Sequence, residues 1–120
     1  MPSPVTLDDI RAARERIAAR ISPTPLLPAR ALSERLGGPA LYKAETLQPT
    51  GSFKVRPALS GMLAHFETAR ERGVVTSSSG NFAQAVAWAA RETGVDAAVV
   101  MMEAASAYKR ERTRALGAHV

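Results

Sequence analysis

The 120 residues contain no cysteine, which excludes disulfides, thiolate metal sites and cysteine nucleophiles. Histidine occurs only at His65 and His119, too little for a zinc site or a histidine-based triad. Aromatic residues make up 5% of the chain, so the stacking platforms of single-strand nucleic-acid binders are not available. No run approaches the roughly 20 apolar residues of a membrane span. The first residues, Met1-Pro2-Ser3-Pro4-Val5, lack the basic-then-apolar order of a secretory signal. A cytoplasmic location is therefore expected. Lysine is also scarce: Lys43, Lys54 and Lys109 are the only candidates for amine chemistry.

What is present is the composition of a folded domain, with 46% hydrophobic and 22% charged residues. The length suits one domain, or part of a larger one. The net charge of +5 comes from arginines scattered among acids, as in Arg14-Glu15-Arg16 and Arg70-Glu71-Arg72. At helical spacing these form solvated faces with local ion pairs, and no nucleic-acid partner is expected.

Thr6 reads as a helix cap, with Asp8 and Asp9 in the first turn and Ile10, Ala13, Ile17 and Ile21 at helical spacing. Pro23, Pro25 and Pro28 predict an extended connection. A short helix over 31–36 stops at Gly37-Gly38, and Leu41 to Ala44 reads as a strand. The spacing then predicts one helix through Arg72, starting near Arg56 because proline at Pro57 is tolerated only in a first turn. Buried strands are expected at 74–76 and 97–102, helices at 81–92 and 108–116, and the start of a third strand at 118–120. This alternation predicts an α/β fold of parallel-sheet βαβ units, incomplete at its C-terminus.

Two segments carry chemistry. The first runs from Lys43-Ala44-Glu45 through Gln48-Pro49-Thr50-Gly51-Ser52-Phe53-Lys54-Val55-Arg56. A lysine beside a glycine turn, at a helix mouth and next to a phenylalanine, suits an amine that forms a Schiff base with an aldehyde. A plain surface lysine at a helix start fits the spacing as well. Thr50 or Ser52 is expected to cap the helix, and Glu45 to pair with Arg56 or Lys43. The second segment is Ser77-Ser78-Ser79-Gly80-Asn81, between a strand and a helix N-terminus. Backbone N–H groups and hydroxyls there suit an anion such as a carboxylate or phosphate. A plain helix entry fits it equally. The loop is neither a P-loop nor a nucleophile elbow.

Taken together, Pro25-Leu26-Leu27, Thr50-Gly51-Ser52-Phe53-Lys54, Ser79-Gly80-Asn81-Phe82-Ala83-Gln84 and Thr113-Arg114-Ala115-Leu116-Gly117-Ala118 resemble the threonine/serine dehydratases. These are fold-type II pyridoxal-phosphate enzymes of the tryptophan synthase β-like architecture, and the resemblance runs from about Leu7 to Val120. It implies pyridoxal 5'-phosphate as cofactor, held by Lys54 as an internal aldimine, with Lys54 also the base at the substrate Cα. It implies that Phe53 packs beside the cofactor ring and that Asn81 hydrogen-bonds the ring hydroxyl. Ser77, Ser78, Ser79, Gly80 and Asn81 would bind the substrate carboxylate, with Gln84 supporting that loop. The implied activity is deamination of L-threonine or L-serine to a 2-oxo acid and ammonia by β-elimination of the hydroxyl. No metal is implied, and a homo-oligomer is expected of the complete protein.

Three positions depart from the family pattern: Pro57 where glycine is usual, Phe82 where histidine is usual, and Met102-Glu103 where a proline is usual. The family's glycine-rich loop for the cofactor phosphate lies downstream of this region. The expectation is therefore an N-terminal third of a longer enzyme, inactive by itself. Residues 1–50 would begin the large cofactor domain and 51–120 would form part of the small substrate-carboxylate domain. The alternatives are serine racemase, another fold-type II enzyme, or a non-catalytic fragment serving as an interaction module.

Overall fold

The structure is a computed structural model and describes residues 4–120. Thr6 caps helix α1 (Leu7–Ile17). Its hydroxyl accepts from the Asp9 amide at 3.2 Å, and the Asp9 carboxylate accepts from the Thr6 amide at 2.8 Å. This reciprocal box satisfies donors that a helix start leaves orphaned. The hydroxyl and the amide of Thr6 both hold the Asp9 carboxyl below its usual range. One face of α1 ends in buried Ile17, and Ile21 follows it into the same core.

Strand β1 (Leu26–Pro28) then pairs antiparallel with β2 (Leu41–Lys43), in the register Leu26↔Lys43 and Pro28↔Leu41. Helix α2 (Arg30–Leu36) lies between them and ends on Gly37. The stretch expected as an extended connection thus ends in a strand, and this small antiparallel pair stands apart from the parallel unit that follows. Pro28 is tolerated because a two-stranded sheet consists only of edges.

The helix predicted through Arg72 is two helices, α3 (Val55–Ala64) and α4 (Phe66–Arg72). His65 leaves the helical region at φ −122°, and its carbonyl accepts from the Ala69 amide to start α4. Pro57 sits in the first turn of α3, where its missing N–H costs no helical bond. Gly73 ends α4 at φ +73°, and a Cβ there would lie 3.1 Å from the Asp96 carbonyl oxygen. That same carbonyl accepts from the Val74 amide at 2.8 Å, so the close approach starts the sheet.

Strand β3 (Val74–Ser77), helix α5 (Asn81–Thr93) and strand β4 (Ala97–Val100) form a βαβ unit, with β3 and β4 parallel in the register Val74↔Ala97. Helix α6 (Ala107–Ala115) returns the chain so that His119 bridges Ala98 in parallel, as expected of a third strand. The core lies where α3 packs on α5. Every residue from Ala83 to Ala90 is buried, because alanine lets neighbours approach the helix on all sides. Val55 and Leu59 fill the facing side of α3, both fully buried. The Thr93 hydroxyl ties the end of α5 to Met62 of α3 at 3.0 Å. No helix among the described residues is long and apolar enough to cross a membrane.

Candidate active site

Lys54 stands at the mouth of α3, in right-handed helical geometry (φ −62°, ψ −19°) and half-buried. A turn with Gly51 at φ +74° delivers it. The Ser52 hydroxyl accepts from the Lys54 amide at 3.3 Å and so tightens the turn before α3, but no side chain caps that helix, and neither Thr50 nor Ser52 takes the expected capping role. Thr50 is buried instead, and its hydroxyl has no hydrogen-bond partner among the described residues.

The Lys54 amine makes no salt bridge among the described residues. Its surroundings are aromatic. The Nζ atom lies 5.0 Å from the centre of the Phe53 ring and 5.9 Å from that of Phe82. Phe82 directly follows Asn81. The packing of α3 on α5 thus brings the lysine segment beside the serine loop, although the two lie far apart in sequence.

In that loop the hydroxyls are shared out. The Ser79 hydroxyl accepts from the Met102 amide at 3.0 Å, and the Ser78 hydroxyl accepts from the Gly80 amide at 3.4 Å. The Ser78 amide donates to the Val100 carbonyl, which fixes the loop to β4. Ser77 and Asn81 are exposed. Gly80 starts α5 without a side-chain cap, so the first-turn N–H groups have no hydroxyl or carboxylate of the cap to satisfy them. Gln84 is buried one turn further along. Beside the site, a cleft of about 280 Å³ is lined by Pro57, Met62, His65, Val75 and Phe82.

Two residues beyond Lys54, Arg56 joins an ionic cluster. Arg56 grips Glu45 with two bonds of 2.8 Å, from Nε and from one terminal nitrogen. The Thr24 hydroxyl adds a bond of 2.5 Å and the Gln48 amide one of 3.3 Å. Lys43 stands at 4.0 Å from the carboxylate and donates instead to the Thr24 carbonyl at 2.6 Å. The Arg56 hydrogen bond is the main cause that lowers the Glu45 carboxyl from 4.5 to about 2, against the opposing cost of burial. Of the two partners left open by spacing, Arg56 is the one engaged. The sequence signalled neither the nearness of Phe82 to Lys54 nor the orphaned hydroxyl of Thr50, since both arise from chain segments folded together.

The model of the family described as "Pyridoxal-phosphate dependent enzyme" matches residues 17–120. The chain belongs to that family. Within it, an L-threonine ammonia-lyase of Thermotoga maritima is 43% identical over 116 residues, covering 97% of this chain and 29% of its own length. A solved threonine deaminase from T.th. is 50% identical with a TM-score of 0.83, over 97% of this chain and 36% of that one. A serine racemase from Dictyostelium discoideum is 40% identical with a TM-score of 0.90, over 97% of this chain and 38% of that one. The chain therefore spans about a third of the length of these family members. Its fold is that of the fold-type II enzymes, and pyridoxal 5'-phosphate is the family's cofactor.

The residues present fit that cofactor. A lysine amine with no ionic partner among the described residues faces two aromatic rings, and a buried hydroxyl without a partner among them lies four residues before it in sequence. A loop of hydroxyls and uncapped N–H groups adjoins them, suited to the anion of an amino-acid substrate.

Proposed function

We propose that this chain supplies the lysine and the carboxylate loop of an ammonia-lyase that deaminates L-threonine or L-serine to a 2-oxo acid and ammonia. The observation that carries the reading is the unpaired Lys54 amine, held beside Phe53 and Phe82 next to the Ser77–Asn81 loop. Lys54 holds the cofactor through its amine, Phe53 packs against the cofactor ring and Asn81 hydrogen-bonds the ring hydroxyl. When bound, pyridoxal phosphate supplies an electron sink for the pair left at the substrate Cα.

The chain's own residues do the rest. The substrate carboxylate sits on the N–H groups at the start of α5 and on the hydroxyls of Ser77, Ser78 and Ser79, with Gly80 leaving room for close approach. That contact orients the Cα–H bond toward Lys54. Lys54 is the residue placed to take the Cα proton as general base. Loss of the β-hydroxyl as water, with the proton removed from Cα, followed by addition of water and release of ammonia, would give 2-oxobutanoate from threonine or pyruvate from serine. In this reading the boundary between the large and small domains falls near residue 50, with α1 packed back across it onto α3. In this reading the complete protein is a cytoplasmic homo-oligomer.

The likeness to a serine racemase at a TM-score of 0.90 favours a second reading, in which the same Lys54 moves the Cα proton without loss of the hydroxyl. Product analysis of the complete protein separates the two. Threonine and serine are expected to yield 2-oxo acid and ammonia in equal amounts. Accumulation of D-serine without ammonia would select the racemase reading instead.

A further inference from the structure

We infer that Glu45 is a positioning residue for the Lys54 amine, acting through Arg56 to set the direction in which Lys54 leaves the first turn of α3. The inference rests on the reading of Lys54 given above.

Four side-chain hydrogen bonds converge on this one carboxylate. They come from the connection after α1 (Thr24), from the end of the short turn after β2 (Gln48) and, twice, from α3 (Arg56). Lys43 of β2 braces the same corner by holding the Thr24 carbonyl. Only Arg56 belongs to the element that carries Lys54. Residues two apart on a helix point about 200° from each other. Arg56 therefore draws one side of the turn toward the β1–β2 sheet, while Lys54 projects from the other side toward Phe82. A bidentate fork fixes orientation as well as distance, so it sets the rotation of this turn about its own axis.

The turn's own backbone bonds, from the Arg56 amide to the Phe53 carbonyl at 3.0 Å and from the Ala58 amide to the Lys54 carbonyl at 3.2 Å, fix its shape but not its rotation against the β1–β2 sheet. Ser52 accepts from the Lys54 amide at 3.3 Å, and Val55 is held by apolar packing, which does not select an angle. The Glu45 and Arg56 side chains are 18% and 31% exposed, so the pair is better shielded than the surface pair of Arg114 with Glu111.

The test uses the complete protein with its cofactor, comparing wild type with Glu45→Gln, Arg56→Lys, Lys54→Ala and, as a control, Glu111→Gln. Glu45→Gln keeps the shape but turns an amide donor toward a guanidinium. Arg56→Lys keeps the charge but loses the fork, and covers the case in which the first variant fails to fold. Both are expected to lower kcat about tenfold or more with KM changed less than about twofold, the pattern of a misdirected reacting group. Both are also expected to shift the pH at which the cofactor's visible band changes. In the cofactor-free protein, both are expected to speed amide exchange in residues 52–58. Glu111→Gln is expected to change none of these. A lower urea midpoint with unchanged kcat, band and local exchange would overturn the inference and leave Glu45 a structural residue. If Lys54→Ala removes the band, such a result refutes the Glu45 inference alone. If Lys54→Ala keeps the band, the reading of Lys54 falls and the inference with it.

Discussion

The β1–β2 region and the α3–α5–β3–β4 region are held together by different forces. In the first, neither strand nor α2 contains a buried residue, and Leu26, Leu36, Leu41 and Tyr42 are all exposed. Its attachment to the rest runs through the polar cluster at Glu45. In the second, eight consecutive residues of α5 are buried, and Val55 and Leu59 are sealed against them. Lys54 lies at the seam. Its backbone starts a helix of the apolar region, while the residue two further on is tied to the polar one. The contrast teaches a division of labour: non-directional apolar burial supplies stability, and directional hydrogen bonds supply orientation.

Removing packing from the apolar region sharpens that contrast most. Leu59→Ala is expected to cost about 2–5 kcal/mol by transfer and cavity terms together, read from urea unfolding. Its loss should be the same across the acid range, because no ionisable group is involved. The polar region should behave oppositely. The Glu45 carboxyl is depressed from 4.5 to about 2 in the folded chain. Its contribution is therefore fully present above the unfolded value and disappears as pH falls through about 2. After allowance for solvent screening, unfolding measured between pH 5 and pH 2 should lose about 2 kcal/mol from this group. A pH-independent stability over that window, or a Leu59→Ala cost that varies with pH, would break the distinction.

Much of the apolar region was readable from residue order. The glycines at Gly73 and Gly94 stop helices, and apolar runs at 74–76 and 97–100 form the parallel pair. Thr6 with Asp9 marks its helix by local chemistry alone. In the polar region α2 and β2 were read from the sequence, but β1 and its antiparallel pairing were not. A strand of three residues carries too few side chains to show alternation, and the prolines of 23–28 mask a pairing made on an edge. The break at His65 has no local punctuation in the sequence. At the site, both chemistry-bearing segments stood out by their residues. Their meeting did not, because Phe82 reaches Lys54 only through the packing of α5 on α3. The choice of Arg56 over Lys43 by Glu45 is likewise a matter of geometry, since either cation is close enough along the chain.

The central claim is that Lys54 is the amine that carries the cofactor. Borohydride reduction of the complete protein with pyridoxal phosphate, followed by digestion and mass mapping, tests it directly. The account predicts the reduced pyridoxyl label on the peptide containing Lys54. Label on Lys43 or Lys109 with Lys54 unmodified would contradict it.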